Sequence, residues 1–84
     1  MEPLAYEIGD LLEVTWEDII TFMGWEGLED GFDHVPHECV SVGFLTKHTD
    51  KYLSLCATKG VNGRTEYNQG ISIPLGNIVS LRKL

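Results

Sequence analysis

Between residues 39 and 58 the chain alternates apolar and polar side chains on both sides of a short polar turn. Val40, Val42 and Phe44 alternate with Cys39, Ser41 and Gly43; Lys47-His48-Thr49-Asp50 turns the chain; Leu53, Leu55 and Ala57 then alternate with Ser54, Cys56 and Thr58. A period of two belongs to strands, because successive side chains leave a strand on opposite faces. The pattern predicts an antiparallel hairpin with Val42, Phe44, Leu53 and Leu55 on its core face. Antiparallel pairing about that turn sets Cys39 opposite Lys59 and Cys56 opposite Val42. The two thiols are then several residues out of register, and an intrachain disulfide is not expected.

The rest of the chain carries the same signal in shorter pieces. Leu12-Glu13-Val14-Thr15-Trp16-Glu17 alternates as a half-buried strand with Leu12, Val14 and Trp16 inward. Its lead, Pro3 to Asp10, is compatible with a helical turn or an extended arm. Ile19, Ile20, Phe22, Met23 and Trp25 either continue the first strand or form one helical turn. Gly24, Gly27 and Gly31 then break regular structure, and Glu26 to Glu38 reads as a long acidic loop. Gly60-Val61-Asn62-Gly63 is a turn, Glu66 to Ile73 a strand with a candidate bulge at Gly70, and Pro74 its end, since proline removes a ladder donor. Leu75-Gly76-Asn77 makes a corner into a last strand, residues 78–84. The expected core is Val14, Trp16, Val42, Phe44, Leu53, Leu55, Ile73, Ile78 and Val79. Five short strands leave exposed edges unless the sheet closes, so the predicted fold is mostly β: a strongly bent, five-stranded antiparallel small barrel with a long acidic loop after the first strand.

Eighty-four residues hold one core, so residues 1–84 are read as a single domain. A domain of this size buries only about 60–65% of its unfolded surface, which makes a partner subunit a natural source of added stability. The net charge of −7 is unevenly placed. Residues 1–46 contain eleven acids and no Lys or Arg; residues 47–84 hold all six basic residues and two acids. No apolar run reaches the roughly 20 residues of a membrane span, and the acidic N-terminus does not resemble a signal peptide. With two cysteines, too few for a disulfide scaffold, the expectation is a cytoplasmic protein with reduced thiols and no membrane partner, the cytoplasm being a host's if the chain is viral.

Gly43-Phe44-Leu45-Thr46 through Asp50-Lys51-Tyr52-Leu53-Ser54-Leu55 resembles the first motif of Sm-like proteins, and Gly76-Asn77-Ile78-Val79-Ser80-Leu81 resembles the second. The likeness covers residues 43–58 and 71–84; SH3-like barrels share the short turn before a final strand. The resemblance implies a ring of six or seven subunits, closed by edge-strand pairing, with single-stranded RNA near the pore; the expectation for this chain is a homo-oligomeric ring of about five to seven subunits. Only Asn77 matches the family's binding residues directly. The family's base-contacting Asn falls on Tyr52, whose ring can stack a base, and Pro74 and Leu75 stand where the family has an Arg. Lys51 and Arg64, from the basic half, complete the candidate binding set of Tyr52, Lys51, Asn77 and Arg64.

Other chemistry is thinly represented. His34, His37 and Cys39, with His48 or Asp33, form the nearest approach to a metal set, but lack the tight paired spacing of zinc sites. No nucleophile motif, no unequal buried carboxylate pair and no phosphate-binding glycine loop is present. The chain is therefore expected to be no enzyme and to need no cofactor. Trp16 and Trp25 most simply belong to the core or pack the long loop on the barrel; Trp25, in a glycine-rich stretch, is also a ligand-binding candidate. The leading expectation is an oligomeric binding module. The alternatives are an acidic interaction or inhibitor protein that presents carboxylates in place of phosphates, and a small-molecule barrel with its ligand between subunits.

Overall fold

A computed structural model describes residues 5–84. It contains five strands, β1 (Leu11–Asp18), β2 (His37–His48), β3 (Tyr52–Gly60), β4 (Glu66–Pro74) and β5 (Ile78–Lys83), with 3-10 turns at Leu28–Asp30 and Leu75–Asn77. The described residues form no α-helix. The strands make one antiparallel sheet in the order β4-β3-β2-β1-β5. β4 and β5 are its two edges and are not paired with each other.

β2 organises the sheet because it serves two neighbours in succession. Its first part, His37 to Phe44, pairs with β1; its last part, Phe44 to His48, pairs with β3. A register shift between Leu45 and Lys47 accompanies the change of partner, as expected where a strand bends. The lead into β1 is a turn: the Glu7 N–H donates to the Asp10 carboxylate (2.9 Å), the Asp10 N–H donates to the Glu7 carbonyl (3.0 Å), and Tyr6 packs on the core. Pro3 and the start of that lead lie outside the described residues.

The core consists of Leu12, Val14, Leu45, Leu53, Leu55 and Ile73, each at most 1% exposed, with Tyr6, Trp16, Leu75, Ile78 and Leu81 packed around it. Val14, Leu53, Leu55 and Ile73 are core as expected, and Trp16 and Ile78 flank it. On β2 the expected face is inverted. Leu45 is buried, whereas Val42 is half exposed and Phe44 lies on the opposite face from Leu45, against Tyr67 (ring centroids 6.2 Å apart). Val79 is likewise exposed. β3 turns back later than expected: His48 pairs with Leu53, and the Thr49 hydroxyl, accepting the Lys51 and Tyr52 N–H groups (3.1 and 3.2 Å), holds the intervening turn. The buried face of β2 is the one whose residues lie opposite the inward leucines of β3. Leu45 thus meets Leu55, and Cys56 meets Phe44 instead of Val42. Cys39 pairs with Trp16 on β1, so both thiols are free. β4 holds one register along β3, with no bulge at Gly70.

Segment 19–36 continues neither as strand nor as α-helix; the 3-10 turn Leu28–Asp30 is its only regular element. It springs from the Asp18–His37 end of the β1–β2 ribbon. The molecule measures 59 × 24 × 21 Å with a radius of gyration of 16.5 Å, against about 12 Å for a compact chain of this length. β2, the longest strand, spans only roughly 40 Å, and the segment at its end is an arm that lengthens the molecule.

Candidate functional site

Three of the four residues singled out by sequence gather at one end of the sheet. Lys51 lies in the β2–β3 turn and Tyr52 opens β3 opposite Pro74. The Leu75 N–H donates to the Lys51 carbonyl (2.9 Å), tying the 3-10 turn that contains Asn77 to the same end. Asn77 is committed structurally: its side-chain amide donates to the Glu17 carbonyl at 2.8 Å, joining that turn to the end of β1. Nearby, His48 Nδ1 is buried without a hydrogen-bond partner among the described residues. Arg64 does not join this group. It sits in the β3–β4 turn, at the far end of a nine-residue strand, roughly 26 Å away along the chain, and pairs with Glu66 (2.7 Å).

The basic residues are less available than their number suggests. Arg82 bonds Glu13 (3.0 Å) and Lys83 reaches Asp10 (3.3 Å), so the basic end of β5 is matched within the chain by acids of β1 and its lead. The Glu7 backbone N–H and then the Lys83 ammonium hold the Asp10 carboxyl below its usual range, and Glu13 raises the Arg82 guanidinium. Among the described residues Lys47, Lys51 and Lys59 form no ion pair. Lys59 lies over the Phe44 ring, 5.8 Å from its centroid. Beside it Thr58, Gly60, Glu66, Tyr67 and Asn68 line an open depression of about 390 Å³.

The histidines and cysteines do not converge; no group of three or more potential metal ligands forms among the described residues. His34 instead bonds both carboxylate oxygens of Glu26 (2.9 and 3.0 Å) and stacks flat on Phe22, with centroids 3.8 Å apart and planes 11° apart. Phe32 packs against Phe22 at 6.2 Å. This cluster braces the arm from inside and was not legible in sequence, since its members are separated by up to twelve positions and follow no period. The one signal was the density of aromatic residues between glycines. Trp25 belongs neither to the core nor to the packing of the arm on the sheet: it is fully exposed, whereas Trp16 donates from Nε1 to the Ser41 hydroxyl at 3.0 Å.

No family model, curated protein or solved structure matches the chain. No helix among the described residues is long and apolar enough to cross a membrane.

Proposed function

We propose that this protein is a non-enzymatic binding module, Sm-like in style, that assembles with copies of itself through its sheet edges. The observation that carries this reading is the strand order. β4 and β5 are opposite edges of one antiparallel sheet, so each presents a row of backbone donors and acceptors, and β4 of one copy can pair with β5 of the next. Exposed Ile71 on β4 and Val79 on β5 add apolar area to those edges. Such head-to-tail pairing repeats, and it closes into a ring of roughly five to seven subunits where the rotation permits. The bend of β2 and the short turn from β4 to β5 agree with a sheet curved toward a small barrel. Arg82 and Lys83 are already matched within the chain, so edge pairing and apolar burial, rather than charge, drive this association.

Light scattering across low micromolar concentrations tests the proposal. A multi-subunit mass is expected, and Val79→Lys, which charges an edge, lowers it while leaving the circular dichroism spectrum intact. A single-subunit mass that stays constant as concentration rises overturns assembly and leaves an isolated SH3-like adaptor. The gathering of Lys51, Tyr52 and Asn77 at one end favours single-stranded RNA as a second reading of the ligand. Binding would then weaken with salt, because each neutralised phosphate releases counterions. With only three lysines outside ion pairs among the described residues, the slope per subunit is shallow; no binding at low salt removes RNA and leaves a protein ligand.

A further inference from the structure

The arm of residues 19–36 leaves more large apolar side chains open than any other part of the fold. Met23, Trp25 and Leu28 are 96%, 104% and 88% exposed. They are exposed by construction. The Phe22–His34 stack and the Glu26–His34 pair hold the arm in shape, and Gly31, at φ 91°, closes the 3-10 turn by donating its N–H to the Leu28 carbonyl. Positive φ is a conformation glycine adopts without strain. Apolar groups displayed together on a braced element mark a contact surface.

The charges narrow what can cover it. Glu26, Glu29, Asp30 and Asp33 lie in the same arm, and residues 1–46 hold no Lys or Arg. Anionic lipid and nucleic acid are repelled by such a surface; a basic, partly apolar one is attracted. The chain's own second half supplies that complement. The depression on β3 and β4 has Tyr67 in its lining and Lys59, free of ion pairs among the described residues, beside it. Its one acid, Glu66, is neutralised by Arg64. Its volume of about 390 Å³ admits an indole ring. The depression also lies along β4, an edge strand, where a neighbouring copy would arrive.

We propose that the arm of one copy docks on the next copy, with Trp25 entering the depression against Tyr67 and Lys59 facing the acids of the arm. This rests on the assembly reading above and adds an exchanged element to it. The arm reaches beyond the sheet, and its own ring and ion-pair contacts all fall within residues 22–34, so the side chains it displays remain available to a partner.

Trp25 itself reports the outcome. In Trp16→Phe protein its indole is the only one; should that variant fold poorly, the difference in emission between the native protein and Trp25→Phe isolates the same signal. Emission and acrylamide quenching are read alongside mass by light scattering. As the mass rises, Trp25 emission is expected to move to the blue and quenching to fall several-fold. Tyr67→Ala and Lys59→Glu should each reverse both changes. If the mass rises while Trp25 stays fully quenchable, the docking is wrong and edge assembly stands; the arm then serves a different protein. If the mass stays at one subunit, assembly fails and the docking onto a second copy fails with it.

Discussion

Replacing Gly43 by alanine probes the closest approach in the sheet. A Cβ built on Gly43 would lie 2.9 Å from the Cys56 carbonyl oxygen, 3.0 Å from Leu55 Cβ and 3.2 Å from the Cys56 carbonyl carbon. Two of these neighbours are backbone and the third is fixed by a buried leucine, so none can move aside by changing rotamer. Overpacking of this kind costs about 1–3 kcal/mol. Alanine regains about 0.4–1 kcal/mol by restricting the unfolded chain, which leaves a net loss of about 1–2 kcal/mol. In a domain this size each kcal/mol shifts Tm by about 4–8 °C, so a fall on the order of 10 °C is expected. Thermal and urea unfolding followed by circular dichroism at one fixed protein concentration measures it. Gly76→Ala is the control, since nothing lies within 4 Å of a Cβ there; it should be neutral or slightly stabilising. If Gly43→Ala matches or exceeds the stability of the native protein, β3 does not cross β2 as closely as described.

The inversion of β2 predicts opposite costs for neighbouring residues: Leu45→Ala, at a fully buried site, should lose about 2–5 kcal/mol, while Val42→Thr, half exposed, should stay within about 0.5 kcal/mol by urea unfolding; the reverse order would restore the face expected from sequence. Asp10 has a depressed carboxyl, so its contribution is present above the ordinary carboxylate range and disappears as pH falls through its lowered folded value. Asp10→Asn should accordingly be less stable than the native protein near neutrality and converge with it in strong acid; a gap that persists in strong acid would show that the carboxylate's charge is not the cause.

Much of the fold was legible in local pattern. Period-two alternation, Asn62-Gly63, Pro74 and the Leu75-Gly76-Asn77 corner identify five strands and their order along the chain, because each strand's alternation and each turn's chemistry is a property of a few adjacent residues. The charge asymmetry, the separation of the cysteines and the single-core size are equally direct. Orientation was another matter. Val40, Val42 and Phe44 alternate as convincingly as any core strand, yet the side facing Leu55 carries Gly43 and Leu45. That choice depends on which residues of β2 lie opposite the inward leucines of β3 and on the space a glycine leaves for a crossing strand. A one-residue change of register exchanges every side chain between faces, so alternation alone cannot select one. The candidate binding residues divide the same way. Lys51 and Tyr52 come near the turn that carries Asn77 because β4 brings that turn back to the start of β3, whereas Arg64, closer in sequence to Lys51 than Asn77 is, ends at the opposite end of the hairpin. The aromatic brace that holds Trp25 out in solvent also arises only in three dimensions, since stacking of Phe22 on His34 follows no sequence period and forms when the arm folds back on itself.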